Sequence, residues 1–126
     1  MKKTIFKNNE YFYSNSFEPN LTSNLIADFL EHIDIEDKKI LDLGCGCGAL
    51  GLSLIKKNPK SILLSDISSG AIDDCNLNIK NHNLGLKKIK ISTMISDCFN
   101  VISPNEKYDV ISNTHIIVAI PMATQE

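Results

Sequence analysis

The chain has 126 residues, a formal charge of −2 and 43% hydrophobic residues, enough for one domain whose core needs no disulfide or metal staple. All thirteen basic residues are lysine; without arginine forks or net positive charge, composition argues against direct nucleic-acid readout. No apolar run approaches the roughly 20 residues of a membrane helix, and the polar start Met1–Glu10 lacks a signal peptide's apolar stretch. A cytoplasmic protein is expected, with Cys45, Cys47, Cys75 and Cys98 as buried free thiols.

Residues 1–16 are polar and aromatic and read as an extended N-terminal lead-in, with the domain proper over 17–126. Pro19-Asn20 punctuates the chain before Leu21, Leu25, Phe29, Leu30 and Ile33, which recur at helix spacing with Asn20 or Thr22 as cap. Glu36-Asp37-Lys38 is a turn, and Lys39–Leu43 a short apolar strand. A glycine loop follows, then a helix over Ala49–Lys57 stopped by Asn58-Pro59. Ser61–Ser65 reads as a second strand ending at Asp66. Ser68 or Ser69 caps a helix running to His82, with Asp73 and Asp74 in its early turns, Lys80 near its end and Gly85 as its stop. Ile89–Ile95 is a third strand, leading to Asp97. Tyr108–Ser112 is a fourth, extended by the apolar run Ile116–Ile120.

Strands alternating with helices at this spacing specify an α/β fold, a Rossmann-like, mostly parallel sheet with flanking helices. Right-handed crossovers place the ligand crevice at the carboxyl ends of the strands. Gly44, Asp66, Asp97 and Asn113 all fall at such ends, so four separate elements converge on one edge.

Gly44, Gly46, Gly48 and Gly51 follow a strand and open a helix. Glycine there permits positive φ and close approach of a ligand to the backbone. Gly46-Cys47-Gly48-Ala49-Leu50-Gly51 matches the dinucleotide pattern G-x-G-x-x-G, and Asp66 stands about 20 residues on, where a ribose-binding acid belongs. A dinucleotide of the NAD type is therefore one candidate. Asp42 points elsewhere: a carboxylate at the strand end would repel a pyrophosphate and suit a ligand carrying an ammonium or sulfonium group.

The run Asp42-Leu43-Gly44-Cys45-Gly46-Cys47-Gly48 resembles the first motif of class I S-adenosylmethionine-dependent methyltransferases. The resemblance implies S-adenosyl-L-methionine as cofactor. Asp42, Gly44, Cys45, Gly46 and Gly48 would hold its methionine end, Asp66 its ribose and Ile67 its adenine, with Asp97 and neighbouring Cys98 near the adenine amino group. Phe17-Glu18-Pro19, Ile40–Gly51 and Tyr108–Asn113 are similar to the release-factor glutamine methyltransferases and to small-domain methyltransferases of RNA bases. This implies methyl transfer to a nitrogen of a protein glutamine or an RNA base, with Asn113 as the catalytic-site residue and a release-factor-like protein or an RNA as partner.

Two departures stand out. In those families the Asn is followed by two prolines and an aromatic; here Thr114-His115-Ile116 follow Asn113. The strand is also one residue short, and such a slip turns a side chain to the other face. The four or five strand candidates are fewer than these enzymes usually carry, so the C-terminal strands are expected to be incomplete and the chain a truncated product. The alternatives are a non-catalytic remnant that binds S-adenosylmethionine and an NAD-type oxidoreductase. No metal site is expected, because Cys45 and Cys47 are too close for a zinc pair and no histidines cluster near them.

Overall fold

A computed structural model of the chain describes residues 1–14, 16–82, 88–97 and 106–113. Two strands open it, β1 (Lys2–Phe6) and β2 (Asn9–Tyr13), followed by α1 (Leu21–Glu31), β3 (Lys39–Leu43) and α2 (Ala49–Leu52). Then come a 3₁₀ turn over Ile55–Lys57, β4 (Ser61–Asp66), α3 (Ser69–Asn81), β5 (Lys90–Ile95) and β6 (Val110–Asn113). The last four strands form one parallel sheet in the order β5-β4-β3-β6. The expected parallel α/β fold is therefore the observed one. Because β4 and β6 flank β3 on opposite sides, the chain reverses winding direction at β3, and the crevice of such sheets lies at that strand's carboxyl end.

β3 is buried on both faces: Ile40, Leu41 and Asp42 are each 0% exposed. That is why its sequence reads as an apolar run without alternation. Ile40, Ile62 and Leu64 from the sheet meet Leu50, Leu52, Leu54, Ile72 and Cys75 from the helical layer in one core.

The lead-in is more than extended chain. Lys7 and Asn8 both take positive φ, making the two-residue turn that suits the right-handed twist of a hairpin, and β1 pairs with β2 from Lys2↔Tyr13 to Phe6↔Asn9. Phe6 and Tyr11 join the main core.

α1 starts at Asn20, whose side chain accepts from the Ser23 amide while Ser23 closes a capping box. Its carbonyl end is capped by another element, since Lys57 Nζ donates to the carbonyls of Leu30, Glu31 and Ile33. The buried stripe is Ser23, Ile26, Ala27 and Leu30; Leu21, Leu25 and Phe29 face outward. Of the expected row only Leu30 is fully buried; Ile26 packs beside it, and the small Ser23 and Ala27 complete the face.

The helix expected over Ala49–Lys57 breaks after Leu52. Ser53 Oγ donates to the Leu50 carbonyl at 2.6 Å, a back-bond that competes with the helical ladder, and Leu54 and Lys57 bond i−3 carbonyls instead. Asn58 then stops the chain in the left-handed region. α3 is capped by Ser68 as expected, its hydroxyl accepting from the Ala71 amide. β6 begins two residues later than Tyr108. Gly85 and the Ile116–Ile120 extension lie outside the described residues. Among the described residues no helix is long and apolar enough to cross a membrane.

Gly51 is the tightest contact between α2 and the sheet: a Cβ there would lie 2.5 Å from Leu64 Cδ2 and 3.2 Å from Asp42 Oδ2. G51A should therefore destabilise the chain by about 2 kcal/mol or more through overpacking, measured as a lowered urea midpoint at unchanged slope. A substitution with no effect would show that α2 does not pack this closely.

Candidate functional site

The loop between β3 and α2 turns through three left-handed glycines, Gly44, Gly46 and Gly48. A side chain at Gly48 would also meet Cys75 Sγ at 3.1 Å and Leu64 Cδ1 at 3.3 Å, so this position excludes one both by φ and by space.

Neighbouring elements hold the loop by its backbone. The Cys45 amide donates to the Ser65 carbonyl at 2.9 Å. The Gly46 amide donates to Asp66 Oδ2 at 2.9 Å, and the Ser68 amide to Asp66 Oδ1 at 2.9 Å. Cys75 Sγ on α3 donates to the Gly46 carbonyl at 3.0 Å and lies 3.4 Å from Cys45 Sγ. Both are free thiols, and the contact with Cys75, together with burial, pushes the Cys45 thiol pKa up. Asn78 Nδ2 donates to the Cys47 carbonyl at 2.9 Å.

Above this loop is a cavity of about 410 Å³, within the range of small-molecule sites. Gly44, Cys45, Gly46, Cys47, Ala49 and Leu50 form its floor; Asp66, Ile67, Ser68 and Ala71 form one wall, and Ser16–Asn20 with Ser23 the other. Among the described residues its charged lining is Asp66 and Glu18, with no lysine. Asp66 accepts one backbone bond on each oxygen, and a carboxylate oxygen has a second lone pair to offer, so the residue can still receive two hydroxyls of a diol. Ile67 is 68% exposed, an apolar plate beside that carboxylate. Among the described residues no group of three or more His, Cys, Asp or Glu could hold a metal ion.

The structure thus brings Gly44, Cys45, Gly46, Asp66 and Ile67 together around one cavity. Gly48 shapes the loop from behind. Asp97 is exposed, on the same sheet edge but outside the lining. Asn113 pairs with Leu43 at the carboxyl end of β3, and Cys98 lies outside the described residues. Phe17, Glu18 and Pro19 entered the sequence reading only as family hints; here they wall the cavity. Asp74 was read as an acid in the early turns of its helix and Asn78 was not singled out, yet they are 3% and 0% exposed.

Asp42 is not where a ligand contact would need it. Its side chain is fully buried, absent from the cavity lining, and lies under Gly51 on the face of β3 covered by α2. Oδ1 accepts from Ser112 Oγ at 3.1 Å, tying β3 to β6; Oδ2 makes no hydrogen bond of normal geometry among the described residues, and the Gly51 amide reaches the carboxyl only weakly. Burial pushes its pKa from 3.8 to about 7, against the opposing Ser112 hydroxyl and Gly51 amide.

The linkage sign follows from that upward shift. Between about pH 4 and 7 the folded chain keeps a proton that the unfolded chain has released, so this contribution is complete below about pH 4 and lost as pH rises toward 7. D42N should remove a stability loss of about 2–3 kcal/mol between pH 5 and 8, read from urea unfolding at the two pH values. A variant equally destabilised at both would show that Asp42 is ionised throughout.

A family profile described as the methyltransferase small domain matches residues 4–117. The release factor glutamine methyltransferase of Streptococcus pneumoniae is 45% identical over 73 residues, covering 57% of this chain and 24% of that protein. The ribosomal protein L11 methyltransferase of Prochlorococcus marinus is 34% identical over 94 residues, covering 74% of this chain and 31% of that protein. The chain therefore matches only 24% and 31% of the length of these curated relatives. Among solved structures, the T. thermophilus 16S rRNA N2 G1207 methyltransferase, in complex with AdoMet and guanosine, superimposes with a TM-score of 0.71. The match covers 99% of this chain and 33% of that one at 16% identity, a likeness of fold.

Proposed function

The chain belongs to the methyltransferase small domain family, and on that premise we propose that the cavity over the glycine loop binds S-adenosyl-L-methionine for methyl transfer to a nitrogen on a protein or an RNA. The observation that carries this reading is the charge of the cavity: among the described residues its lining holds the carboxylates of Asp66 and Glu18 and no lysine. A pyrophosphate would be repelled there, whereas a ligand with an ammonium and a sulfonium centre is attracted. The preference for a cation thus belongs to the cavity walls; Asp42 supports the loop from beneath.

In this reading the open backbone at Gly44 and Gly46 lies against the amino-acid end of the cofactor. Asp66 receives the ribose hydroxyls and Ile67 lies against the adenine. Asp97 stays assigned to the adenine edge only as a neighbour on the same strand ends. The bound sulfonium supplies an electrophilic methyl group, so the protein needs no nucleophile of its own; it has to orient the donor and exclude water. We assign the acceptor class by the two curated relatives, a release-factor glutamine and ribosomal protein L11, with RNA as the further candidate. Asn113, at the end of β6, is the residue proposed to face the acceptor nitrogen. A second reading, cofactor binding without transfer, is favoured by one feature: Thr114-His115-Ile116 replaces the two prolines and aromatic after that Asn.

Calorimetry should find S-adenosylmethionine and S-adenosylhomocysteine binding and NAD not binding, with D66N weakening the first two at least about tenfold, the scale of one lost charge-assisted hydrogen bond. Tighter binding of NAD would overturn the assignment. Labelled methyl groups should appear in release-factor, ribosomal protein or ribosomal RNA fractions; cofactor binding without incorporation would select the second reading.

A further inference from the structure

One face of α3 does two jobs at successive helical turns. Asp74, 3% exposed, accepts hydrogen bonds from the Ser14 amide at 3.0 Å, the Ser14 hydroxyl at 3.1 Å and the Ser16 hydroxyl at 2.6 Å. Asn78, 0% exposed, accepts from the Phe12 amide at 2.8 Å and donates to the carbonyls of Phe12 and Cys47, each at 2.9 Å. One turn further, His82 Nε2 lies 2.6 Å from the Glu10 carbonyl, and its ring stacks on Tyr11 with centroids 5.0 Å apart. β2 and the chain leaving it are therefore laced along α3 by residues 82, 78 and 74.

That lacing leads into the cavity. Immediately after the Asp74 contacts, Ser16–Asn20 form the wall opposite Asp66, and a Cβ at Gly46 would lie 4.0 Å from both the Phe17 carbonyl and Ser16 Cβ. Asn78 binds the hairpin and the glycine loop with one amide. Burying a carboxylate and a carboxamide this deeply costs desolvation that only well-made bonds offset. A helix needing only to pack would carry apolar side chains at both positions.

We propose that Asp74 and Asn78 are positioning residues that set cofactor affinity, holding the Ser16–Asn20 wall and the glycine loop at the separation a bound S-adenosylmethionine requires. This rests on the cofactor reading above. Neither side chain is among the residues lining the cavity; both act through the backbone they hold.

The test pairs a ligand-free measurement with a binding one. Amide exchange should show the Ser14 N–H protected in the wild-type chain and at least about tenfold faster in D74A, as expected when a buried acceptor is removed. The Kd for S-adenosylmethionine should rise about tenfold in D74A and in S14A/S16A. The latter leaves α3 and the Ser14 amide bond to Asp74 intact; it loses two hydroxyl donors to a buried carboxylate, so its binding is read at a temperature where circular dichroism shows it folded. D74N, whose oxygen can still accept from the Ser14 amide and the Ser16 hydroxyl while its NH2 donates to the Ser14 hydroxyl, should recover most of the affinity. The proposal is overturned if Ser14 exchanges freely in the wild type, if folded S14A/S16A binds as tightly as wild type, or if D74N loses as much affinity as D74A. A wild-type chain with a protected Ser14 amide that binds no S-adenosylmethionine would refute the cofactor reading, and with it the link from clasp to affinity.

Discussion

The backbone path from Gly44 to Gly48 is the constraint on which the rest depends. Three residues in the left-handed region turn the chain from the end of a fully buried strand into a helix lying on the same sheet. Four backbone groups of that turn are held by neighbours: the Cys45 and Gly46 amides by Ser65 and Asp66 from β4, the Gly46 and Cys47 carbonyls by Cys75 and Asn78 from α3. At its glycines the cavity floor has no side chain to keep it in place. Its rigidity comes from these outside contacts, and the order of strands around β3 brings them together.

Most of the fold was legible in the sequence, for definite reasons. β3 and β4 are short apolar runs ended by acids or glycines, and α3 carries a Ser68 cap and a long polar–apolar period. The hairpin was missed because Lys7-Asn8 is a turn without glycine, so the left-handed pair has no strong signal. The buried face of α1 was read correctly at Leu30 and missed at Ser23, Ile26 and Ala27, two of them small, while the larger Leu21, Leu25 and Phe29 stand outside. The break after Leu52 comes from a serine back-bond, which hydrophobic periodicity does not register.

The site was legible where backbone conformation or strand ends define it, at Gly44, Gly46 and Asp66. It was not legible where burial decides the role. Asp42 was read as a charge facing a ligand; the structure seals it under Gly51, with Ser112 as its partner and a pKa near neutrality. Asp74 and Asn78 do carry a recognisable signal, two polar residues four apart on the same helical face as Ala71 and Cys75. That pattern places polar groups in a core, where they must have partners. The electrostatic preference for a cationic ligand nevertheless survives the relocation of Asp42, because Asp66 and Glu18 supply it from the walls.

The chain also has a second concavity, of about 580 Å³, at the amino ends of the strands, rimmed by Lys39, Lys60 and Lys90. Its charge is opposite to that of the glycine-loop cavity, so the two ends of one sheet offer competing addresses for a nucleotide. Amide shift mapping of ¹⁵N-labelled chain titrated with S-adenosylmethionine separates them directly. The account predicts that Cys45, Gly46, Ile67 and Ser68 move most, while Lys60 and Lys90 stay in place. Shifts concentrated at Lys60, Lys90 and Ser92, with the loop amides unmoved, would contradict it.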